Sequence, residues 1–153
     1  EKSFDVVTAN HLLFYLADLD EALEEIRRIL KPDGVFYCST YGAEHMKEIG
    51  RLVKEFDSRI VLSEVNLYDV FGLENGREIL ERHFSSVEKI MYEDYLEVTD
   101  AGALMEYILS CHGNQQEYLS GRYEEFRAFL ERKMEKKGFI HITKEAGDFI
   151  CKK

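Results

Sequence analysis

Four polar or aromatic residues, Asn10, His11, Tyr41 and His45, follow two short apolar runs of the sequence. Such positions carry chemistry when the runs are parallel strands, because ligands of open α/β sheets bind beyond the carboxyl ends of the strands. The imidazole of His45 could serve as a general base, since histidine titrates near neutral pH. Tyr15 could stack on a substrate. The alternatives are ordinary: a turn cap, packing under a helix, or a side chain in solvent.

Cysteine and histidine also stand next to each other once, at Cys111 and His112. No second ligand lies at a spacing typical of a metal site, and no partner makes Cys111 a nucleophile. The sequence therefore predicts no metal. With Cys38 and Cys151 the cysteines number three and form no C-x-x-C pair, which is typical of reduced thiols and indicates a cytoplasmic protein.

The elements that must position these residues begin with a strand–helix–strand unit. Residues 4–9 are apolar and β-branched without a helical period, and residues 35–40 repeat this pattern, so both runs predict buried strands. Between them, apolar residues at i, i+4, i+7 and i+11 from Leu19 predict an amphipathic helix. The segment 31–34 ends that helix, because proline cannot continue it. Strands joined in this way are parallel, with a right-handed crossover.

The following residues predict further helices and one long strand. Apolar positions in 46–56 fall on one helical face, and a further helix is predicted at 75–83. Residues 57–73 predict a loop. Residues 86–98 predict a long strand, with several apolar side chains at alternate positions.

Residues 99–137 predict two helices, where a simple sheet needs only a tight connection. Inserts of that length are usually functional, so we expect a lid over the strand ends, with Tyr107 and His112 contacting a substrate. The alternative is that these helices only pack across the sheet. The closing residues predict a hairpin of two short strands, 139–143 and 149–151.

Length, charge and composition exclude several classes of protein. The 153 residues suffice for one domain, and 30 acidic against 20 basic residues give a net charge of −10. Nucleic-acid binding needs clustered Lys and Arg, which are missing here, so no nucleic-acid partner is predicted. No run approaches the roughly 20 apolar residues that cross a bilayer, so no membrane partner is predicted either. The chain starts without Met and enters a strand almost at once, and we expect a fragment.

The first 42 residues resemble the second half of the class I S-adenosylmethionine-dependent methyltransferases. The matching pattern is Phe4-Asp5-Val6-Val7, then Leu12–Leu16, then Leu23-x-x-Ile26-x-Arg28-x-Leu30-Lys31-Pro32-x-Gly34. The closing segment, residues 147–153, suits the family's antiparallel last strand. The resemblance implies an α/β fold: a partial Rossmann-like methyltransferase sheet (strands 4 to 7), helices on both faces and a helical insert before the last strand. It also implies methyl transfer from S-adenosylmethionine to an unknown, small-molecule acceptor.

The resemblance further implies a division of roles among the residues at the strand ends. Residues just after the family's fourth strand line the methionine end of the cofactor, which makes Ala9, Asn10 and His11 the expected cofactor contacts. Tyr15 and Tyr41 are then the expected substrate contacts. The family's glycine-rich loop and its ribose-binding acidic residue have no counterpart in this sequence, so the cofactor site is expected to be incomplete. Residues 1–153 would then be the C-terminal part of one domain.

The family's strand order also implies a partner. Its fourth strand lies between the first and the fifth, so strand 4–9 would have an unpaired edge, and such an edge is a template for pairing with another chain. We therefore expect a homo-oligomer through strand 4–9. Two other interpretations stay open: a non-catalytic Rossmann-like domain that binds a partner, and a different Rossmann-like enzyme such as a nicotinamide dehydrogenase.

Overall fold

A computed structural model describes residues 2–153, whose strands form one four-stranded sheet in the order β1-β2-β4-β3. The strands are β1 (Phe4–Asn10), β2 (Leu30–Tyr41), β3 (Ser86–Val98) and β4 (Ile140–Lys152). β1 pairs with β2 in parallel, and β4 pairs with β2 antiparallel. The α/β fold and the place of the antiparallel last strand beside β2 confirm what the resemblance implied.

Besides a short 3₁₀ helix at Leu13–Tyr15, the described residues form seven α-helices. They are α1 (Leu19–Ile29), α2 (Lys47–Phe56), α3 (Leu67–Val70), α4 (Gly76–Glu81), α5 (Ala101–Leu109), α6 (Gln115–Leu119) and α7 (Tyr123–Met134). The chain divides into two compact units. Unit 1 comprises the residues up to His45, Asn66–Glu93 and Glu145–Lys153, and unit 2 comprises Met46–Val65 and Asp94–Lys144.

Helix α1 of unit 1 forms where the apolar spacing predicts it. The Asp18 carboxylate caps its first turn by accepting the Glu21 backbone N–H at 2.9 Å, which satisfies one of the N–H groups that a helix start leaves without a partner. The stripe buries Leu23 completely in the core of unit 1. The helix ends at Ile29, and Leu30 already belongs to β2.

The β1–β2 pairing contains a bulge at the predicted turn. Phe4 pairs with Leu30 and Val6 with Val35, so residues 31–34 of β2 stand opposite the single residue Asp5 of β1. The Lys31 Nζ lies 2.9 Å from the Asp5 carboxylate across this bulge. Residues 31–34 therefore form a bulge within the β1–β2 pair, and not a turn that comes before the second strand.

The prediction that β1 is a buried strand is wrong for most of its length. Phe4 is 51% exposed and Val6 is 52% exposed, while Ala9 is buried. β1 is an edge strand in the described sheet, and only Val7 and Ala9 face the core of unit 1. An apolar sequence fits burial on both faces, but it does not show that the strand lies at the edge of the sheet, which depends on pairing between distant segments.

Strand β2 is buried on one face only, which also differs from the prediction. Its residues Phe36, Cys38 and Thr40 are buried, and the alternate residues Val35 and Tyr37 are partly exposed. Side chains of a strand alternate between faces, so one face of the sheet lacks full cover here.

Two cysteines lie on the covered face of this sheet. Cys38 pairs with Phe149 and Phe36 with Cys151, so the two thiols are diagonal neighbours on adjacent strands, and both are buried and reduced. A hydrogen bond with Cys151, together with burial, raises the pKa of the Cys38 thiol well above its usual range.

Unit 2 has a core of its own. Asp100 caps α5 by accepting the backbone N–H groups of Gly102 and Ala103 at 2.7 and 3.1 Å. Apolar residues of α5, α6 and α7 meet in one cluster that contains Leu104, Ile108, Leu119, Phe126 and Leu130, all buried.

Two expectations about element boundaries are wrong. Residues 99–137 form three helices instead of two. Gly121 adopts a φ of +75°, a left-handed conformation that interrupts the helix and separates α6 from α7. The predicted closing hairpin is absent, since residues 140–152 form the single continuous strand β4. Residues 144–147 have residue types that are typical of turns, but pairing with β2 keeps them extended. Ala146 pairs with Tyr41, and Gly147 pairs with Thr40.

None of the helices formed by residues 2–153 combines the length and apolar character that crossing a membrane requires.

Candidate active site at the carboxyl ends of β1 and β2

The parallel strands of unit 1 end next to each other, as the sequence predicts. Asn10 closes β1 and pairs with Ser39, two residues before the end of β2. The backbone N–H of His11 donates to both the carbonyl and the Oγ of Ser39, each at 3.1 Å. His11 has a φ of +48°, a left-handed conformation that is uncommon outside glycine and is often found at functional sites. The turn after β1 is therefore fixed by β2.

The side chains of the three expected cofactor residues differ in what they can offer. Asn10 and His11 are exposed, whereas Ala9 is buried in the core of unit 1. Ala9 can thus present only backbone atoms to a ligand. Ser39 and Asp148 join Asn10 in one row across the sheet, because Asn10 pairs with Ser39 and Ser39 with Asp148. The sequence carries no signal for this row, since the β2–β4 register depends on pairing between distant segments.

A cluster of aromatic rings surrounds Tyr41 at this end of unit 1. The Tyr41 ring lies 5.2 Å from His45, 5.5 Å from Phe14, and 6.3 Å from both His11 and Tyr68, measured between ring centroids. The Tyr15 ring extends the group, since its centroid is 4.7 Å from that of Phe14. We call these six residues the Tyr41 cluster: His11, Phe14, Tyr15, Tyr41, His45 and Tyr68.

The structure thus brings four of the predicted site residues together and adds two that the sequence does not indicate. Tyr15 is 68% exposed, so its ring is available to a ligand. Tyr68 lies on α3, inside the segment 57–73 that predicts only a loop. A single turn of helix carries too short a pattern to be recognised, which is why Tyr68 was missed.

Two glutamates, Glu74 and Glu145, hold the turn that follows Tyr41. The Ala43 backbone N–H donates to Glu74 Oε1 at 3.0 Å, and the Glu44 N–H donates to Glu145 Oε2 at 3.1 Å. A Cβ atom on Gly42 would lie 2.5 Å from Glu145 Oε2 and 2.7 Å from Glu74 Oε1, so any side chain there would displace the carboxylates. The turn therefore brings two negative charges to the residue next to Tyr41.

His45 is held through one of its ring nitrogens. The Glu145 backbone N–H donates to His45 Nδ1 at 3.1 Å. A neutral imidazole carries one proton, so a ring that accepts at Nδ1 carries its proton on Nε2 and donates from there. A general base needs a lone pair toward the substrate, and this hydrogen bond favours the opposite arrangement. This hydrogen bond disfavours the general-base role that the sequence predicts for His45 and favours a hydrogen-bond donor at Nε2, and a catalytic role of the residue stays a prediction.

The remaining predicted residues, Tyr107 and His112, belong to unit 2. Tyr107 lies on α5 and is 45% exposed, and its hydroxyl donates to Met46 Sδ at 3.5 Å. Burial raises the pKa of the Tyr107 phenol above its ordinary value. His112 is exposed in the segment between α5 and α6. Their role toward a substrate stays a prediction.

No group of three or more His, Cys, Asp or Glu side chains among residues 2–153 has the arrangement of a metal site. The chemistry of this end of the sheet is instead that of hydrogen-bonding side chains, aromatic rings and carboxylates.

Comparison with known proteins gives a family match at the start of the chain. Residues 1–38 match the family described as "Methyltransferase domain". The chain is 28% identical over 98 residues to malonyl-[acyl-carrier protein] O-methyltransferase of Methylovorus sp. (strain MP688), which covers 63% of this chain and 31% of that protein. It is 43% identical over 49 residues to the mitochondrial arginine-hydroxylase NDUFAF5 of Homo sapiens, which covers 32% of this chain and 14% of that protein. The chain therefore spans less than a third of these relatives' length.

Solved structures agree on the fold. A protein from Anabaena variabilis, described as a candidate methyltransferase of an antibiotic biosynthesis pathway, superposes with a TM-score of 0.63 at 14% identity, covering 99% of this chain and 68% of that one. The YcgJ protein from Bacillus subtilis gives a TM-score of 0.52 at 15% identity and covers 99% and 65%.

Proposed function

We propose that this chain, a member of the class I S-adenosylmethionine-dependent methyltransferase family, is the C-terminal part of one catalytic domain that methylates a small molecule. The observation that carries the proposal is the sheet order β1-β2-β4-β3, with the antiparallel β4 next to β2. That order matches the family's strands four to seven and accompanies a family match over β1, α1 and most of β2.

The exposed face of the sheet supports the proposal that this chain is one part of a larger domain. Val6 and Tyr37 are 52% and 38% exposed on the face that lacks cover. In a complete domain we expect further helices on this face and a further strand beside β1. Residues 99–137 would then be an insert of the same domain, and we propose that they serve as its lid.

The residues at the carboxyl end of β1 fit part of the cofactor. Asn10 is an exposed amide at the end of β1, and the strained His11 turn presents backbone close to the same point. These residues would hold the methionine end of S-adenosylmethionine. The sequence of residues 2–153 offers no glycine-rich turn between a first strand and a helix, so the rest of the cofactor site must come from outside these residues.

When bound, S-adenosylmethionine supplies an already activated methyl group, so the protein contributes mainly by aligning the acceptor. His45 Nε2–H would donate to the acceptor and orient it, while Tyr15 and Tyr41 would contact its body. Rings that exclude water at this point would strengthen that hydrogen bond.

The test of the proposed function uses the full-length protein that contains this segment. We expect it to convert S-adenosylmethionine to S-adenosylhomocysteine in the presence of its acceptor. Asn10→Ala should weaken S-adenosylhomocysteine binding about tenfold, the effect of losing one to two hydrogen bonds, and calorimetry would measure it. Asn66→Ala, at another exposed asparagine of unit 1, is the matched control and should leave affinity unchanged. Equal affinities for both variants and the wild type would refute the assignment of Asn10.

The proposal extends to the location of the protein and to its oligomeric state. We propose a cytoplasmic location, because all three cysteines are free. We also propose that the 153-residue chain by itself forms homo-oligomers through the exposed edge of β1.

The two alternatives predict other outcomes of the same measurement. A partner-binding domain would bind no cofactor even at full length, and a nicotinamide dehydrogenase would bind a nicotinamide dinucleotide instead of S-adenosylhomocysteine.

A further inference from the structure

We propose that the outer edge of β3 pairs in antiparallel register with β3 of a second copy of this protein, with Met91 at the two-fold axis. The partner is thus an identical strand, and the two sheets join into one. The inference does not depend on the proposed function, because it rests on β3 and on no residue of the Tyr41 cluster.

The outer edge of β3 pairs with no strand formed by residues 2–153. β3 ends the sheet on the side opposite to β1, and its neighbour β4 occupies only its inner edge. An unpaired edge offers backbone N–H and C=O groups to another strand. The further strand that we expect beside β1 would lie at the other end of the sheet. We therefore expect the edge of β3 to stay available in the full-length protein.

The middle of β3 exposes apolar side chains on both faces of the sheet. Ile90 and Tyr92 are 45% and 62% exposed, and Met91, on the opposite face, is 39% exposed. Edge strands are commonly protected by charge, by bulges or by a covering segment, and a run of exposed apolar residues on an edge favours pairing instead. These three consecutive residues therefore indicate where a partner strand would lie.

The charges on either side of this apolar run select the register. A two-fold axis perpendicular to the sheet keeps every side chain on its own face, so one residue of β3 must stand opposite its own copy. With Met91 at the axis, Ile90 stands opposite the copy's Tyr92, and Lys89 stands opposite the copy's Glu93. The symmetry repeats both contacts. Apolar pairs and opposite charges directly across two strands stabilise a sheet.

The neighbouring registers lack this match. An axis at Lys89 or at Glu93 would place like charges opposite each other, which destabilises the pair. An axis at Ile90 would place Lys89 opposite Met91. An axis at Tyr92 would place Met91 opposite Glu93. The sequence of β3 is therefore self-complementary in one register.

The two charged residues have no competing ion pair. Neither Lys89 nor Glu93 forms one within 4.0 Å among the residues that the structure describes. The Lys89 Nζ donates one hydrogen bond to the Leu73 carbonyl at 3.0 Å, and an ammonium group has three N–H donors, so two are left for a carboxylate.

One unfavourable pair accompanies this register. It places Glu88 opposite the copy's Asp94. The Asp94 carboxylate, however, accepts the backbone N–H of Tyr95 at 2.8 Å, which directs it along its own strand. The repulsion is therefore smaller than that of two carboxylates that face each other.

The experiment measures the mass of the full-length protein by light scattering over a range of concentrations. In the 153-residue chain the edge of β1 is free as well and contributes its own association, so the full-length protein isolates the edge of β3. We expect a dimer that dissociates at micromolar concentrations, because one pair of strands buries less surface than a standard interface. A protein that stays monomeric up to about 100 μM would overturn the proposal.

Exchange of charges tests the register. Lys89→Glu would place carboxylates opposite carboxylates, and Glu93→Lys would place ammonium groups opposite ammonium groups, so each variant should dimerise at least about tenfold more weakly. An equimolar mixture of the two variants restores both opposite-charge contacts in a heterodimer and should recover the wild-type mass. Variants that dimerise as the wild type does, or a mixture that does not recover, would show that the interface lies elsewhere and that the proposal is wrong.

A further variant tests the axis without the charged residues. Met91→Lys would place two ammonium groups opposite each other at the axis and should leave a monomer. Val70→Lys, at a similarly exposed valine on α3, is the matched control and should keep the dimer. This pair keeps the test valid if Lys89→Glu, which also loses the hydrogen bond to Leu73, destabilises the fold. A dimer that persists in Met91→Lys would contradict the register.

Discussion

The hydrogen bond between the Glu145 backbone and His45 Nδ1 decides what His45 can do. A backbone N–H cannot lose its proton, so it holds Nδ1 as an acceptor whenever the ring is neutral. The proton then stays on Nε2. In the methyl transfer proposed above, a donor at this place would orient an acceptor group without taking a proton from it, because the methyl donor is already activated.

This geometry predicts how substitutions of His45 behave in the full-length protein. Glutamine places an amide N–H near the position of Nε2, so His45→Gln should keep most of the wild-type kcat/KM. His45→Ala should lose about tenfold, the effect of one hydrogen bond to the substrate. A general base would make kcat/KM rise with pH as the base loses its proton, whereas a donor at Nε2 would not, so we expect no such rise that is lost in His45→Gln. Glutamine and alanine variants that are equally impaired would contradict the donor role.

Asp57 in unit 2 forms ion pairs with two arginines, Arg59 and Arg122. Its side chain is 9% exposed and accepts from Arg59 at 2.6 Å and from Arg122 at 3.0 Å. Hydrogen bonds from Arg59 and then Arg122 hold the pKa of Asp57 well below its usual range. The carboxylate therefore links the end of α2 to the start of α7.

A lowered pKa fixes the sign of the pH dependence. The charged form stabilises the fold above the unfolded pKa of about 3.9, and this contribution is lost as pH falls toward the folded pKa. We expect Asp57→Asn to lower the Tm at pH 7 by a few degrees, with a smaller difference at pH 3. Thermal unfolding followed by circular dichroism measures both. Asp33→Asn, in the exposed bulge, should change the Tm little, and a difference for Asp57→Asn that is constant with pH would contradict the charge argument.

At the scale of elements, the exposed edge of β1 predicts self-association of the 153-residue chain. An unpaired strand edge offers N–H and C=O groups to another strand, and half-exposed Phe4 and Val6 add apolar surface. Val6→Lys should shift the chain toward monomer, because a charged side chain on an edge opposes pairing. Light scattering over a range of concentrations measures the mass. Val65→Lys, at an equally exposed valine of unit 2, should have no such effect, and a wild-type chain that is monomeric throughout would refute the prediction.

Local sequence patterns predict those elements whose structure depends on residues that lie close to them in the sequence. Helix α1 has a full apolar stripe and its Asp18 cap, and the β1–α1–β2 unit needs only adjacent residues. Gly121 could have indicated the break between α6 and α7, but the apolar spacing continues across it from Leu119 to Tyr123. The continuous strand β4 was missed because its extended conformation at 144–147 comes from pairing with β2, not from its own residues.

The candidate site shows the same division. Asn10, His11, Tyr41 and His45 follow strands that the sequence predicts, so their proximity in unit 1 is predictable. Glu74 and Glu145 reach the same turn from segments far along the chain. Nothing in their local sequence distinguishes them from the other acidic residues.

At the scale of the whole molecule, the missing parts of the cofactor site predict a difference between two forms of the protein. The 153-residue chain should show no saturable heat with S-adenosylmethionine at micromolar concentration, because the contacts we propose, at Asn10 and His11, reach only one end of the cofactor. The full-length protein should bind in the ordinary range of enzyme ligands, about 1 μM to 1 mM. Micromolar binding by the short chain would contradict this and would mean that its own residues complete the site.

The shared strand β4 has a consequence for how the protein is made on the ribosome. Within β4, the residues up to Lys144 belong to unit 2, and those from Glu145 belong to unit 1, whose other two segments lie earlier in the sequence. Phe149 and Cys151 fill the core beside Phe36 and Cys38, so unit 1 stays without its central strand until the last of these residues has left the exit tunnel. Pairings between such distant segments form slowly. During that interval the apolar face of β2 is exposed, and transiently exposed apolar surface of this kind makes a folding chain prone to aggregation.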